Sequence, residues 1–193
     1  MKKELQRKFF HIVFGFLFIF LILIFGAQIS FYIVLTIFFL GLIIILLMRL
    51  GHRLHLFEKI IRAVEREEEK HLPGKAALLF FVAAIILLYF FMNEPKIILA
   101  ALSVEIFADT AAALGGQKFG KIRLLKGRKK TVEGSAFCFA VTFLCIAFFF
   151  PPTASNVLMI LLASFLTTAS EYLPLDDNIT IPLVAAASIK LLL

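Results

Sequence analysis

The chain has 193 residues, 62% of them apolar, with 24 Phe, no Trp and a formal net charge of +7. Soluble domains carry about 45–50% apolar residues, so this composition excludes one and indicates an integral membrane protein. The length suits one helical bundle, residues 1–193 as a single domain, with no room for a separate soluble one.

Every crossing is read as an α-helix, because lipid cannot satisfy open backbone. Apolar runs predict seven spans, at about 9–27, 29–48, 76–92, 96–114, 135–150, 155–171 and 179–193, the last being short. No small-residue cleavage site follows the first run, so it is read as a span and not as a signal peptide. Within segment 52–72, Leu54, Phe57, Ile60, Ile61 and Val64 recur at helical spacing, which predicts an amphipathic surface helix stopped by Pro73-Gly74. The expected fold is an all-α polytopic membrane bundle of about seven transmembrane helices plus this cytoplasmic amphipathic helix.

Basic residues sort to one side of that bundle. Four lie in the N-terminal tail, seven in 49–75 and seven in 115–133, leaving only Lys96 and Lys190. The other side receives short turns at Ser30, Asn93-Glu94-Pro95 and Pro151-Pro152-Thr153. The positive-inside rule makes the charged side cytoplasmic, together with the N-terminus and segment 171–178. Topology and contact with membrane lipids account for the positive charge, so no nucleic-acid partner is inferred. Cys138 and Cys145, seven residues apart, sit roughly 10 Å apart on one helix, too far for a disulfide, and read as packing residues.

Four patches could carry chemistry, and all fall on the charged side. At the first, Arg7 and His11 share a helix face beside Lys8, where the first span enters the membrane. A juxtamembrane anchor with an interfacial His is the plain alternative there. The second patch, Arg62 and Glu65-Arg66 through Gly74, reads mainly as a solvated helix with ion pairs four residues apart. The third is the stretch 105–135. Glu105 and Asp109 lie four apart in an apolar run, where carboxylates are costly and usually mark function. Gly115-Gly116, Gly120-Lys121 and Lys130-Thr131-Val132-Glu133-Gly134-Ser135 follow, so backbone amides and ammonium groups could meet a phosphate close to a metal ion. Thr131 also reads as an ordinary helix cap, and a basic loop alone commonly means orientation or anionic lipid. In the fourth patch, Asp176 and Asp177 repel each other unless a cation sits beside them, and Asn178 follows. A Mg²⁺ shared with nucleotide phosphates would meet that need, although capping of a helix start is the bland account.

In this order the patches resemble the CTP-dependent polyprenol and diacylglycerol kinase family, which includes dolichol and phytol kinases. The resemblance rests on Arg7, Lys8 and His11; on Asp109, Ala112, Gly116, Gly120 and Lys121; on Lys130, Thr131, Glu133, Gly134 and Ser135; and on Asp176, Asp177, Asn178, Thr180 and Pro182. The middle motif is also similar to that of CDP-diacylglycerol and CDP-archaeol synthases, which move a cytidylyl group. The first and last motifs favour the kinases. Glu105 matches no family position.

The resemblance implies transfer of the γ-phosphoryl group of CTP to a lipid alcohol, of polyprenol type or diacylglycerol, at the cytoplasmic face. It implies Asp109, Lys130, Glu133 and His11 in catalysis, and Gly116, Gly120, Lys121, Lys130, Thr131, Gly134 and Ser135 around the nucleotide, with Arg128 and Lys129 assisting. Asp109, Asp176 and Asp177 would hold Mg²⁺, with Arg7, Lys8 and Asn178 nearby. Cytidylyl transfer is the rival chemistry. A small transporter fits less well, because all the polar groups gather on one side.

Overall fold

The computed structural model describes residues 2–52, 54, 55, 57, 74–123 and 130–193, with side chains from Lys8 onward. Among the described residues there are six helices and no strand: α1 (Lys2–Arg49), α2 (Lys75–Phe90), α3 (Pro95–Phe119), α4 (Val132–Phe149), α5 (Val157–Ser170) and α6 (Asp177–Leu192). The expected surface helix at 52–72 falls almost wholly outside the described residues.

Helix α1 is broken at Gly26, whose φ of 74° and ψ of 168° only glycine adopts without strain. Its neighbours on α2 show that it folds back there. The His11 ring meets Phe80 at 4.9 Å, Phe18 meets Phe80 and Phe81 at 5.1 and 5.0 Å, and Phe31 meets Tyr89 at 6.0 Å. A Cβ on Gly74 would then lie 3.9 Å from Ile45 Cδ1. A straight helix would hold His11 and Ile45 about 50 Å apart, yet both lie toward the start of α2. So 8–25 and 27–49 are antiparallel arms. The turn expected at Ser30 sits four residues earlier, and Ser30 Oγ donates to the Gly26 carbonyl at 2.7 Å.

Helix α3 is the core of the bundle and packs against α1, α4 and α6. Ile98, Leu102, Glu105 and Ile106 are fully buried on it. Over an 18-residue window, 61% of α3 is buried inside the protein, against 6% for α1 and 22% for α4. The apolar surfaces of α1 and α4 are thus left largely exposed. Pro95 opens α3 in its first turn, where a missing amide hydrogen costs nothing.

The expected seven spans are not what is observed. Among the described residues, three helical stretches are long and apolar enough to cross a membrane: Lys8–Arg49, which the break at Gly26 divides into two arms, Pro95–Phe119 and Val132–Phe149. Helices α2 and α5 are apolar but only 16 and 14 residues long. The apolar runs at 76–92 and 155–171 overstate them because turn residues 91–93 and 154–156, although partly apolar, are not helical. These lengths and compositions mark a membrane-associated helical protein.

The two ends of the bundle differ. At one, Lys190 of α6 reaches Glu94 before α3 at 2.6 Å. At the other lie Lys8, the starts of α2, α4 and α6, and the end of α3, and the candidate chemistry collects there.

Candidate functional site

Among the described residues, three lysine–aspartate pairs stitch this second end together. Lys8 on α1 is 2% exposed, and its ammonium donates to the Asp109 carboxylate on α3 and, at 3.2 Å, to the Asp109 carbonyl. Lys75 in the first turn of α2 lies 3.8 Å from Asp176, the cap of α6. Lys130, just ahead of α4, lies 2.7 Å from Asp177 and also donates to the Glu171 carbonyl oxygen. Each pair joins segments far apart in sequence, so the end of the bundle is fixed by charge as well as by packing.

Between these pairs lies a second network. Ser135 Oγ donates to Glu171 Oε2 at 3.2 Å and shares a 2.6 Å hydrogen bond with the Tyr172 hydroxyl. Burial pushes the Glu171 carboxyl above its ordinary range. Lys130 opposes that shift, and Asp177 and Asp109 add to it. Asp177 is likewise raised, first by burial and then by Asp109 and Asp176, against the pull of Lys130. Those mutual effects place Asp109, Glu171, Asp176 and Asp177 in one electrostatic neighbourhood.

The loop before α4 is built for close packing. Thr131 caps α4 by accepting from the Gly134 amide at 3.1 Å, and pairs in a single bridge with Arg123. The Gly120 amide donates to the Gly116 carbonyl at 3.0 Å and ends α3. A Cβ on Gly134 would stand 2.9 Å from the Ala112 carbonyl oxygen and 3.2 Å from Gly116 Cα. One on Gly120 would collide with the Gly116 carbonyl and meet Thr131 Oγ1 at 2.7 Å. These glycines let α3 and α4 approach backbone to backbone, and the Gly120 and Gly134 amides expected to face a phosphate are taken within the protein.

Several residues thus stand where the sequence places them, with different partners. Glu133 was expected at a metal or on Lys130. Its two oxygens instead accept from the Ile122 amide at 3.3 Å each. His11 Nε2 lies 3.2 Å from the Glu105 carbonyl oxygen, a turn away from Asp109. Lys121 is exposed, and Asn178 Nδ2 donates to the Ala76 carbonyl at 3.5 Å. The Arg7 side chain and Arg128 and Lys129 lie outside the described residues. Asp109, Asp176 and Asp177 share the neighbourhood but do not converge as ligands. Among the described residues no three His, Cys, Asp or Glu groups could hold a metal ion together.

Sequence reasoning gave no role to Lys75, Glu171 or Tyr172. Glu171 and Tyr172 carried a signal, since both open segment 171–178, which runs on to Asp176, Asp177 and Asn178. Lys75 carried none beyond its place after Pro73-Gly74. Compared with models of known protein families, with curated proteins and with solved structures, the chain matches none.

Proposed function

We propose that the chain is a CTP-dependent lipid-alcohol kinase that moves the γ-phosphoryl group to a polyprenol-type alcohol or diacylglycerol. One observation carries this reading. Asp109, Lys130, Ser135, Asp176 and Asp177, drawn from three remote motifs, gather at one end of the bundle with Lys8 and Glu171. Phosphoryl transfer asks the protein mainly for positioning and charge neutralisation, which ammonium groups and carboxylates in that arrangement supply. Lys75 and Lys130, both partly exposed, offer cations to the triphosphate. The nucleotide would arrive as its Mg²⁺ salt, so the metal counts as part of the substrate and needs only one or two protein carboxylates. The apolar faces of α1 and α4 suit a lipid tail. The basic segments orient this end to the cytoplasm, with the chain as a multi-pass membrane protein.

The test is purified protein with a panel of lipid alcohols and CTP labelled at the α or the γ phosphate. Label from the γ position on the lipid, and none from the α position, supports the kinase. Label from the α position on a lipid phosphate would instead make it a cytidylyltransferase. No transfer with either label would remove both.

A further inference from the structure

Glu105 has no role in any of the pairs above, and its surroundings are unusual. It is 0% exposed in the middle of α3, and neither carboxylate oxygen has a hydrogen-bond partner among the described residues. Buried polar groups are nearly always partnered, and leaving one without a partner costs free energy, so an exception needs a cause. Glu105 lies one helical turn deeper than Asp109 on the same face, about 6 Å along the axis. It is close enough to Lys8, Asp109 and Asp176 for their charges to act on it. His11 holds α1 against the same turn through the Glu105 carbonyl, and the fully buried Ile106 is its neighbour in sequence.

The missing partner must meet three conditions. It must suit the carboxyl in either charge state, accepting from the protonated form or donating to the ionised one. It must reach a site without solvent access, between apolar helices. It must carry no negative charge of its own, since the Asp109 carboxylate is close by, and must still leave room on the Asp109 side for the γ-phosphate to reach it. The hydroxyl of a long-chain alcohol meets all three, because its tail can lie in the apolar depth while its head points up toward Asp109 and Lys8.

Resting on the kinase reading, we propose that Glu105 binds the hydroxyl of the acceptor lipid and takes its proton during transfer. The alcohol oxygen attacks the γ-phosphorus, and the bond from that phosphorus to the β–γ bridging oxygen breaks. The nucleoside diphosphate leaves with the electron pair, and the hydroxyl proton passes to a Glu105 oxygen. The nucleotide thus enters from the aqueous end and the alcohol from below.

The experiment compares full-length wild type, Glu105→Gln and Glu105→Leu in detergent, with γ-labelled CTP and the best lipid alcohol from the panel. In Glu105→Gln, kcat falls about 100-fold or more while the KM for CTP stays within about threefold. Glu105→Leu melts at or above the wild-type temperature, because an unpartnered buried polar group has been removed, and Glu105→Gln, which keeps one, melts close to wild type. Transfer within about threefold of wild type in Glu105→Gln overturns the inference and leaves the kinase intact. Lower melting temperatures in both variants also overturn it, since Glu105 would then be a structural residue. No γ-transfer by wild type overturns the kinase reading itself, and the inference with it.

Discussion

Lys130 lies 2.7 Å from Asp177, so the residue that leads into α4 is locked to the first turn of α6. Both side chains are about a quarter exposed, at 25% and 29%, which puts the pair between the surface and buried regimes. Breaking it should cost about 1–2 kcal/mol of stability. Position matters here in a way that an orientation signal does not require, because orientation follows summed charge. Lys130→Gln is expected to lower kcat/KM for CTP by about two decades or more, which equals about 2.7 kcal/mol. Lys126→Gln, with the same loss of charge, should stay within about twofold of wild type. Steady-state kinetics on the two variants decides the matter, and equal, mild effects would reduce the loop to a topology signal.

The glycines offer a second prediction, read by melting in detergent. Gly134→Ala drives a methyl against the Ala112 carbonyl and Gly116 Cα, and should cost about 1–3 kcal/mol by forcing α3 and α4 apart. Gly26→Ala meets open space but must hold φ near 74°, at a cost of about 1–3 kcal/mol. Gly41→Ala meets nothing within 4 Å in the helical second arm of α1, and should be neutral or slightly stabilising. If all three melt alike, the close crossing and the break would not govern stability.

Acid should stabilise the fold over a defined range. Burial raises Glu171 above its ordinary 4.5 and Asp177 above its ordinary 3.8. Between those ordinary values and the raised ones, the folded chain holds more protons than the unfolded chain. Stability therefore falls as pH rises through that window and levels off above it. The melting temperature is expected to climb as pH drops through that window toward the ordinary carboxylate values, and Glu171→Gln should flatten part of that slope. A melting temperature that falls steadily on acidification would show that these carboxyls are not raised.

Orientation can be read with single cysteines and an impermeant thiol reagent. A cysteine at Asn93, in the turn before α3, should react from outside the cell, and one at Lys126 should not. The native background is low, because Cys138 is buried and Cys145 is half-buried in α4. The reverse pattern would place the lysine–aspartate end outside and exclude cytoplasmic CTP as its substrate.

The helical class and the clustered end were legible because apolar runs and carboxylates within them are strong signals. Asp109, Lys130 and Asp177 were picked from sequence and do meet at one end. Their pairing with particular lysines was not legible, since Lys8 and Asp109 are 101 residues apart and no local pattern couples them. Glycine is ambiguous in the same way: Gly134 next to Ser135 suits a phosphate cradle or a close helix crossing equally well on paper. Span lengths were overread at α2 and α5 because hydropathy does not see a helix end formed by ordinary apolar residues such as Phe91 and Met92.

The shortness of α2 and α5 has a consequence for the bilayer itself. At 16 and 14 residues they cover about 24 and 21 Å, less than the hydrocarbon thickness of about 30 Å. Against the 25 residues of α3, they make the helices unequal in length. Lipid meeting the short helices must thin, or the polar end must sink below the headgroup level. Either adjustment brings lipid heads down toward Glu171, Tyr172 and the start of α2. Membrane thickness thereby becomes a variable acting on this end of the molecule, and bilayers of shorter acyl chains should fit it with less strain.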